Sequence, residues 1–383
     1  MSEQLDRIKN SIEKINNKDF GIYFFTIDTK GNPTAGVATI YEHVKKLREL
    51  GYNAQILHDK NDYKLREDEE GMGIAEWLGE EYANLPHISI ESQQLQVGPS
   101  DFVIIPEAFA SIIKQTANFP CKRVVFLQSY EYIFEMLEIG EGWGQFGIRD
   151  VITTNQNLSD YANSLFRGLR TDIVPIGIPE YFTENDKPKV PTVSMVARDK
   201  RELLKIVKIF YQKYPHYRFI TFRDMSGLPR ETFAKELSNS FLGVWVDELS
   251  SFGTFPLECM KSNTPVIGKI PRMVPEWMGS VDQNGNLNLN DNGIWTPNLN
   301  AIPDIIATMV GLYLEDALPE NIMNGMTEWK DKYTTEESDK VLSEVYDGLF
   351  KRRIVELEST LKGIEDQLKE NEKVTTENTE TNG

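Results

Sequence analysis

The residues richest in chemistry lie between Val244 and Gly268, VWVDELSSFGTFPLECMKSNTPVIG, where two apolar runs flank a Ser- and Gly-containing turn and a helical segment. Ser251, Phe252, Gly253 and Thr254 stand where that helix begins. Their backbone NH groups and hydroxyls would gather at the positive end of its dipole, a place that suits a diphosphate. Glu258 follows one helical turn in, on the face of the loop. A carboxylate there can accept hydrogen bonds from two vicinal hydroxyls, as on a ribose, although a solvated helix residue is the plainer reading. A second loop, TKGNPTAGVAT (Thr29 to Thr39), sets Gly31, Ala35 and Gly36 where backbone NH groups approach an anion. It lacks the spacing of the dinucleotide fingerprint and the lysine of a phosphate loop, so a tight structural turn explains it equally well.

These loops need a scaffold, and the pattern around them supplies one. Short β-branched and aromatic runs begin with GIYFFTI (Gly21 to Ile27) and continue with NAQILH from Asn53, HISI from His87, DFVII from Asp101, RVVFLQ from Arg123 and DVITT from Asp150. Between them run helical stretches: Val37, Ile40, Tyr41, Val44 and Leu47 share one face, and Glu107 to Ala117 and Asn157 to Gly168 are also expected to be helical. Such alternation predicts an α/β domain with a parallel sheet covered on both faces. The pattern restarts after the turn-rich IPEYFTENDKPKVP, with strands expected near Val193 to Ala197, Arg218 to Phe222, Leu242 to Val246 and Pro265 to Gly268. Helices are expected from Arg201 to Lys213, from Pro229 to Asn239, and from near Gly253.

The expected organisation is therefore two doubly wound Rossmann-like domains, 1–177 and 192–333, joined by a linker at 178–191. A length of 383 residues, 40% of them hydrophobic, is enough for two cores. The Asn- and Gly-rich Asp282 to Gly293 reads as a surface loop. C-terminal helices follow over 334–369, where Ile354, Leu357, Leu361, Ile364 and Leu368 form a short heptad seam. That seam suits either homo-oligomerisation or a helix laid on the chain's own surface. The tail 370–383, NEKVTTENTETNG, has little to bury and is expected to be disordered.

The run SSFGTFPLECMKSNTPVIG resembles the donor-site signature of retaining GT-B glycosyltransferases of the large fourth family, E-x-F-G-(x)4-E-A-M-x-x-G-x-P-V-I. Phe252, Gly253, Glu258, Met260, Pro265 and Val266 match it. TAGVATIYEHVKKLRELGYNAQIL resembles the family's Gly-rich opening, VPIGI its interdomain segment, and VPEWM the short element after the donor site, so the likeness spans most of the chain. The resemblance implies two domains facing a cleft and transfer of a hexose-type sugar from a nucleoside diphosphate sugar, without metal or other cofactor. It implies that Glu258 binds the ribose, that the loop from Ser251 to Thr254 meets the diphosphate and sugar, and that Gly36 contributes from the facing domain. Arg198 matches the family's diphosphate arginine. Arg201, with Lys200 as contender, falls where its lysine belongs, and Gln128 is the nearest counterpart of an acceptor-side polar residue. Ser250 stands where the family has its first glutamate, with Asp247 and Glu248 just upstream. That departure leaves open a shifted Glu248, another way of holding the sugar, or a catalytically silent scaffold that binds a protein partner.

Composition narrows the classes further. Two cysteines, Cys121 and Cys259, build no disulfide framework, and four histidines lack ligand spacing, so no metal site is expected. No run resembles a signal peptide or membrane span, which fits a cytoplasmic protein. A net charge of −18 disfavours nucleic acid as partner, though a local basic groove would still allow a phage-type DNA-base glycosyltransferase. A sugar-nucleotide epimerase or phosphorylase would share the fold, but no pyridoxal-lysine motif is evident.

Overall fold

A computed structural model describes residues 2–380 apart from 28–33, 70, 93–94 and 136. Gly31 and the start of its loop lie outside the described residues. The first domain opens with α1 (Ser2–Asn16), β1 (Gly21–Thr26), α2 (Ala35–Glu49), β2 (Asn53–His58), α3 (Ile74–Trp77), α4 (Glu80–Ala83) and β3 (His87–Ser89). It continues with β4 (Phe102–Pro106), α5 (Ala110–Gln115), β5 (Lys122–Leu127), β6 (Asp150–Thr153), α6 (Gln156–Leu165) and β7 (Arg170–Ile173). The seven strands form one parallel sheet in the order β3-β2-β1-β4-β5-β6-β7. Both β4 and β5 are buried along their whole length, which is why 102–106 and 124–127 read as unbroken apolar runs rather than as alternating ones, while β5 opens on the buried cations Lys122 and Arg123.

The second domain carries β8 (Val190–Ala197), α7 (Lys200–Lys213), β9 (Thr221–Asp224), α8 (Arg230–Asn239), β10 (Ser240–Val246), α9 (Thr254–Lys261) and β11 (Val266–Lys269). A hairpin of β12 (Gly279–Val281) and β13 (Leu287–Leu289) precedes β14 (Ile294–Thr296), α10 (Ile302–Leu314) and α11 (Glu320–Lys330). Its five-stranded parallel sheet runs β14-β11-β10-β8-β9. The architecture is thus two α/β domains with parallel sheets. In each sheet the winding direction reverses once, between β1 and β4 and between β8 and β10. The crevice outside the carboxyl ends of such neighbours is where open α/β sheets bind ligands.

The final helix, α12 (Thr335–Glu380), leaves the second domain and returns to the first. Leu342, Tyr346, Leu349, Phe350 and Leu357 join the same core as Ile8 and Ile15 of α1, and Ile354, Leu361 and Ile364 pack against it. Four of the five seam residues are therefore covered within the chain, and the surface-packed alternative is the one this structure realises. The helix also runs past Glu370, where composition predicts disorder, and no Gly or Pro interrupts 364–380. Three further expectations shift locally. The 107–117 helix starts at Ala110, the second strand of the second domain begins at Thr221 after a 3-10 turn over Pro215–Tyr217, and the 282–293 loop contains half of a hairpin.

Candidate active site

The strand–loop–helix unit anticipated around Gly253 is present. β10 ends at Val246, and α9 begins at Thr254 behind Gly253, whose φ of 73° lies in the left-handed region. A Cβ on Gly253 would stand 2.7 Å from the Trp245 ring and 3.1 Å from Trp277. Trp277, from the VPEWM element, donates its indole NH to the Phe252 carbonyl at 2.6 Å, so two buried indoles fix the turn into the helix. Glu258 is 1% exposed and lines an interdomain cavity of about 290 Å³. Ala35 and Glu42 line it from the first domain, Tyr181 from the linker, and Gly227 and Thr254 from the second.

Arg230, at the start of α8, donates to Glu258 Oε1 at 2.8 Å, and its guanidinium lies over the Phe182 and Phe233 rings, 4.9 and 5.4 Å from their centroids. Burial opposes the arginine's charge, yet Glu258 and Tyr181 hold its pKa above the ordinary value. On the opposite wall the Tyr82 hydroxyl donates to Glu42 at 2.6 Å, and burial raises the Glu42 carboxyl despite that bond. Asp339 of α12 adds a third carboxylate to the lining, paired with Lys46 at 2.9 Å.

The remaining anticipated residues fall into two groups. Arg198 lies on the cleft. It follows β8 and spans Asp247 with both Nε (2.9 Å) and Nη2 (3.1 Å), while Nη1 donates to the Tyr132 hydroxyl of the first domain at 2.7 Å. Arg201 is turned back onto Asp199, the N-cap of α7, with its side chain 90% exposed, and the exposed Lys200 pairs with Asp224 at 3.1 Å. Ser251 is buried and stitches the domains together: its hydroxyl accepts from the Tyr130 NH at 3.1 Å and its carbonyl from Asn155 Nδ2 at 2.9 Å. Phe252 belongs to the second domain's core, against Tyr333. Ser250 stays partly exposed, its NH in a turn with the Asp247 carbonyl. Glu248 pairs with Lys269 and Arg272.

Gln128 and Gly36 meet within the first domain, where Gln128 Nε2 donates to the Gly36 carbonyl at 3.1 Å; a Cβ on Gly36 would lie 3.3 Å from Gln128 Oε1. Behind them sits a residue the sequence reading assigned to a helix. Glu107, just past β4 at the first domain's winding reversal, is 3% exposed and accepts from the Gln128 and Ser129 NH groups at 3.2 and 2.8 Å. Burial pushes its carboxyl up to about 7, against the lowering effect of those bonds. Its place directly after an apolar strand was the available signal. Arg230, from a segment read only as a helix start, carried none.

No family model matches the chain. It is 24% identical over 261 residues, 66% of its length and 73% of the relative's, to an alpha-1,6-glucosyltransferase of Actinobacillus pleuropneumoniae serotype 7 (strain AP76). Among solved structures it is similar to the pneumococcal O-GlcNAc transferase GtfA in complex with UDP and GlcNAc, with a TM-score of 0.58 at 10% identity, covering 88% of this chain and 99% of that one. It is similar also to a sucrose-phosphate synthase of Thermosynechococcus elongatus, with a TM-score of 0.56 at 13% identity, covering 87% and 99%. Those likenesses and the two facing parallel-sheet domains establish a GT-B fold.

Proposed function

We propose that this chain transfers a sugar from a nucleoside diphosphate sugar to an acceptor bound against the first domain. The observation that carries the reading is Glu258, a buried carboxylate in the wall of an interdomain cavity, one turn into a helix whose first residue faces the same cavity. The cavity's size is near the lower end of the range for ligand pockets, roughly 300 Å³ upward. With Glu42, Asp339 and Glu258 around it, this space suits an uncharged nucleoside better than a diphosphate. The ribose hydroxyls donate to Glu258 beside or in place of Arg230. The diphosphate then passes the start of α9 toward Arg198, and the sugar reaches the cleft in front of Gln128.

In the transfer step the bond from the anomeric carbon to the diphosphate oxygen breaks, and the acceptor oxygen bonds that carbon while its proton passes to the departing diphosphate. Charge grows on the departing diphosphate, and Arg198 and the NH groups at the start of α9 are the groups that stabilise it. Retention at the anomeric carbon and independence from metal follow from the resemblance to the fourth family. The alternative, a silent scaffold that binds a protein partner, would rest on two supports: Ser250 in place of the glutamate, and a heptad seam left open to a partner. The covering of that seam by α1 weakens the second.

UDP-glucose is the first donor to try, because the relative is named a glucosyltransferase and the neighbour is bound to UDP. A panel of UDP-, GDP-, TDP- and ADP-sugars, read by thermal stabilisation and slow donor hydrolysis, tests the proposal, since ligand binding to the folded state raises apparent stability. The expected result is stabilisation and hydrolysis with one donor, both lost in Glu258→Ala. No response to any donor would overturn it in favour of the scaffold.

A further inference from the structure

If the nucleoside occupies the cavity and the diphosphate reaches Arg198, the sugar lies at the winding reversal between β8 and β10. Ala197 and Val246 are registered partners at the ends of those strands, so the next residues, Arg198 and Asp247, stand side by side at the sheet's carboxyl edge. Sugar hydroxyls there need acceptors, and the loop from Asp247 to Gly253 offers two carboxylates. Glu248 is turned toward β11 by Lys269 and Arg272. Asp247 remains, with its side chain 17% exposed.

Its hydrogen bonds can be counted. A carboxylate offers about four acceptor positions. Asp247 Oδ1 accepts from Arg198 Nε at 2.9 Å and from the Leu249 NH at 3.1 Å, whereas among the described residues Oδ2 accepts from Arg198 Nη2 alone, at 3.1 Å. One acceptor position is left on Oδ2. Ser250, held in a turn by its NH to the Asp247 carbonyl, brings a hydroxyl to the same loop. A bare carboxylate near a diphosphate would repel it, but the two-point pairing with Arg198 places a permanent positive charge between them.

The geometry points to Asp247 as the residue that selects the donor's sugar, its Oδ2 and the Ser250 hydroxyl each accepting from a sugar hydroxyl beside Arg198. This assignment rests on the glycosyltransferase reading above. It divides between a short carboxylate and a serine the task for which the resemblance leads one to expect a glutamate at Ser250. It also separates two duties on one ion pair, with Arg198 serving the diphosphate and Asp247 the sugar.

Calorimetric titration of UDP and of UDP-glucose into the wild type, Asp247→Ala and Asp247→Asn tests the division. In Asp247→Ala the ratio of the UDP-glucose Kd to the UDP Kd is expected to rise at least about tenfold, the scale for losing a hydrogen-bonding partner built for a hydroxyl. UDP itself should bind no more weakly, because Arg198 loses a competing partner. Asp247→Asn, which keeps the side-chain volume, should raise the ratio less. An unchanged ratio would overturn the assignment, as would equal weakening of UDP and UDP-glucose, which would make Asp247 a residue that only positions Arg198. A wild type that binds neither ligand would overturn the underlying donor reading and this assignment with it.

Discussion

Asp150 and Glu258 are both buried carboxylates facing arginine, yet they occupy opposite kinds of place. Asp150 opens β6 at the amino-terminal edge of the first sheet and meets three cations: Lys122 at 2.5 Å, Arg170 at 2.8 Å and Arg352 at 3.2 Å. Glu356 of α12 shares two of them, Lys122 and Arg170, so the network ties the last helix to β5, β6 and β7. Glu258 has, among the described residues, one cation, Arg230, and stands next to a cavity beyond the carboxyl edge of the second sheet. A carboxylate whose acceptor positions are filled by the protein's own cations is structural. One with a single partner and open space beside it is left to a ligand.

The largest expected effect tests the structural side. Asp150→Ala takes a shared partner from Lys122, Arg170 and Arg352, which keep Glu356 or Asp172; hydrogen bonds to charged groups contribute about 1.5–3 kcal/mol each, so the combined loss should be about 3 kcal/mol. Chemical denaturation should show that loss. A change below about 1 kcal/mol would place the network among surface pairs and break the comparison.

Glu107 sharpens the series because it is buried with backbone NH partners and, among the described residues, no cation. Its carboxyl titrates near 7 in the folded chain against an ordinary 4.5, so the native state holds a proton that the unfolded state gives up across that interval. The associated stability is present below the unfolded value and is lost as pH rises through the folded one. Glu107→Gln removes the titration. From pH 5 to pH 8 its stability relative to the wild type should improve by on the order of 2 kcal/mol. A pH-independent difference would mean that the carboxyl is ionised throughout.

The smallest expected stability change belongs to the ligand side. Glu258→Gln keeps an oxygen for Arg230 and should cost the unliganded chain about 1–2 kcal/mol, while the donor's thermal stabilisation disappears. If this variant unfolded as readily as Asp150→Ala, the distinction between the two carboxylates would fail.

Local pattern explains what the sequence disclosed. The apolar run to Val246, the glycine at 253 and the helical spacing of Glu258 are features of one short segment, and each is found where it was expected. Interactions between distant segments were not legible. Arg230 reaches Glu258 from 28 positions away, and Arg352 reaches Asp150 across 202, with nothing in either local sequence to announce the partner. The 251–254 loop illustrates both limits: its turn was readable, but its use of Ser251 to join Tyr130 and Asn155 was not. The heptad seam likewise showed that one face of α12 must be covered, while α1, some 350 residues earlier in the chain, supplies the cover.

The most direct test of the central claim is calorimetric binding of UDP to the wild type and to Glu258→Ala, each first shown to be folded at the working temperature. The account predicts binding by the wild type and a loss of at least about tenfold in the variant, the scale for a charged hydrogen-bond acceptor. Equal affinity in the two proteins, or no binding of any nucleoside diphosphate by the wild type, would contradict it.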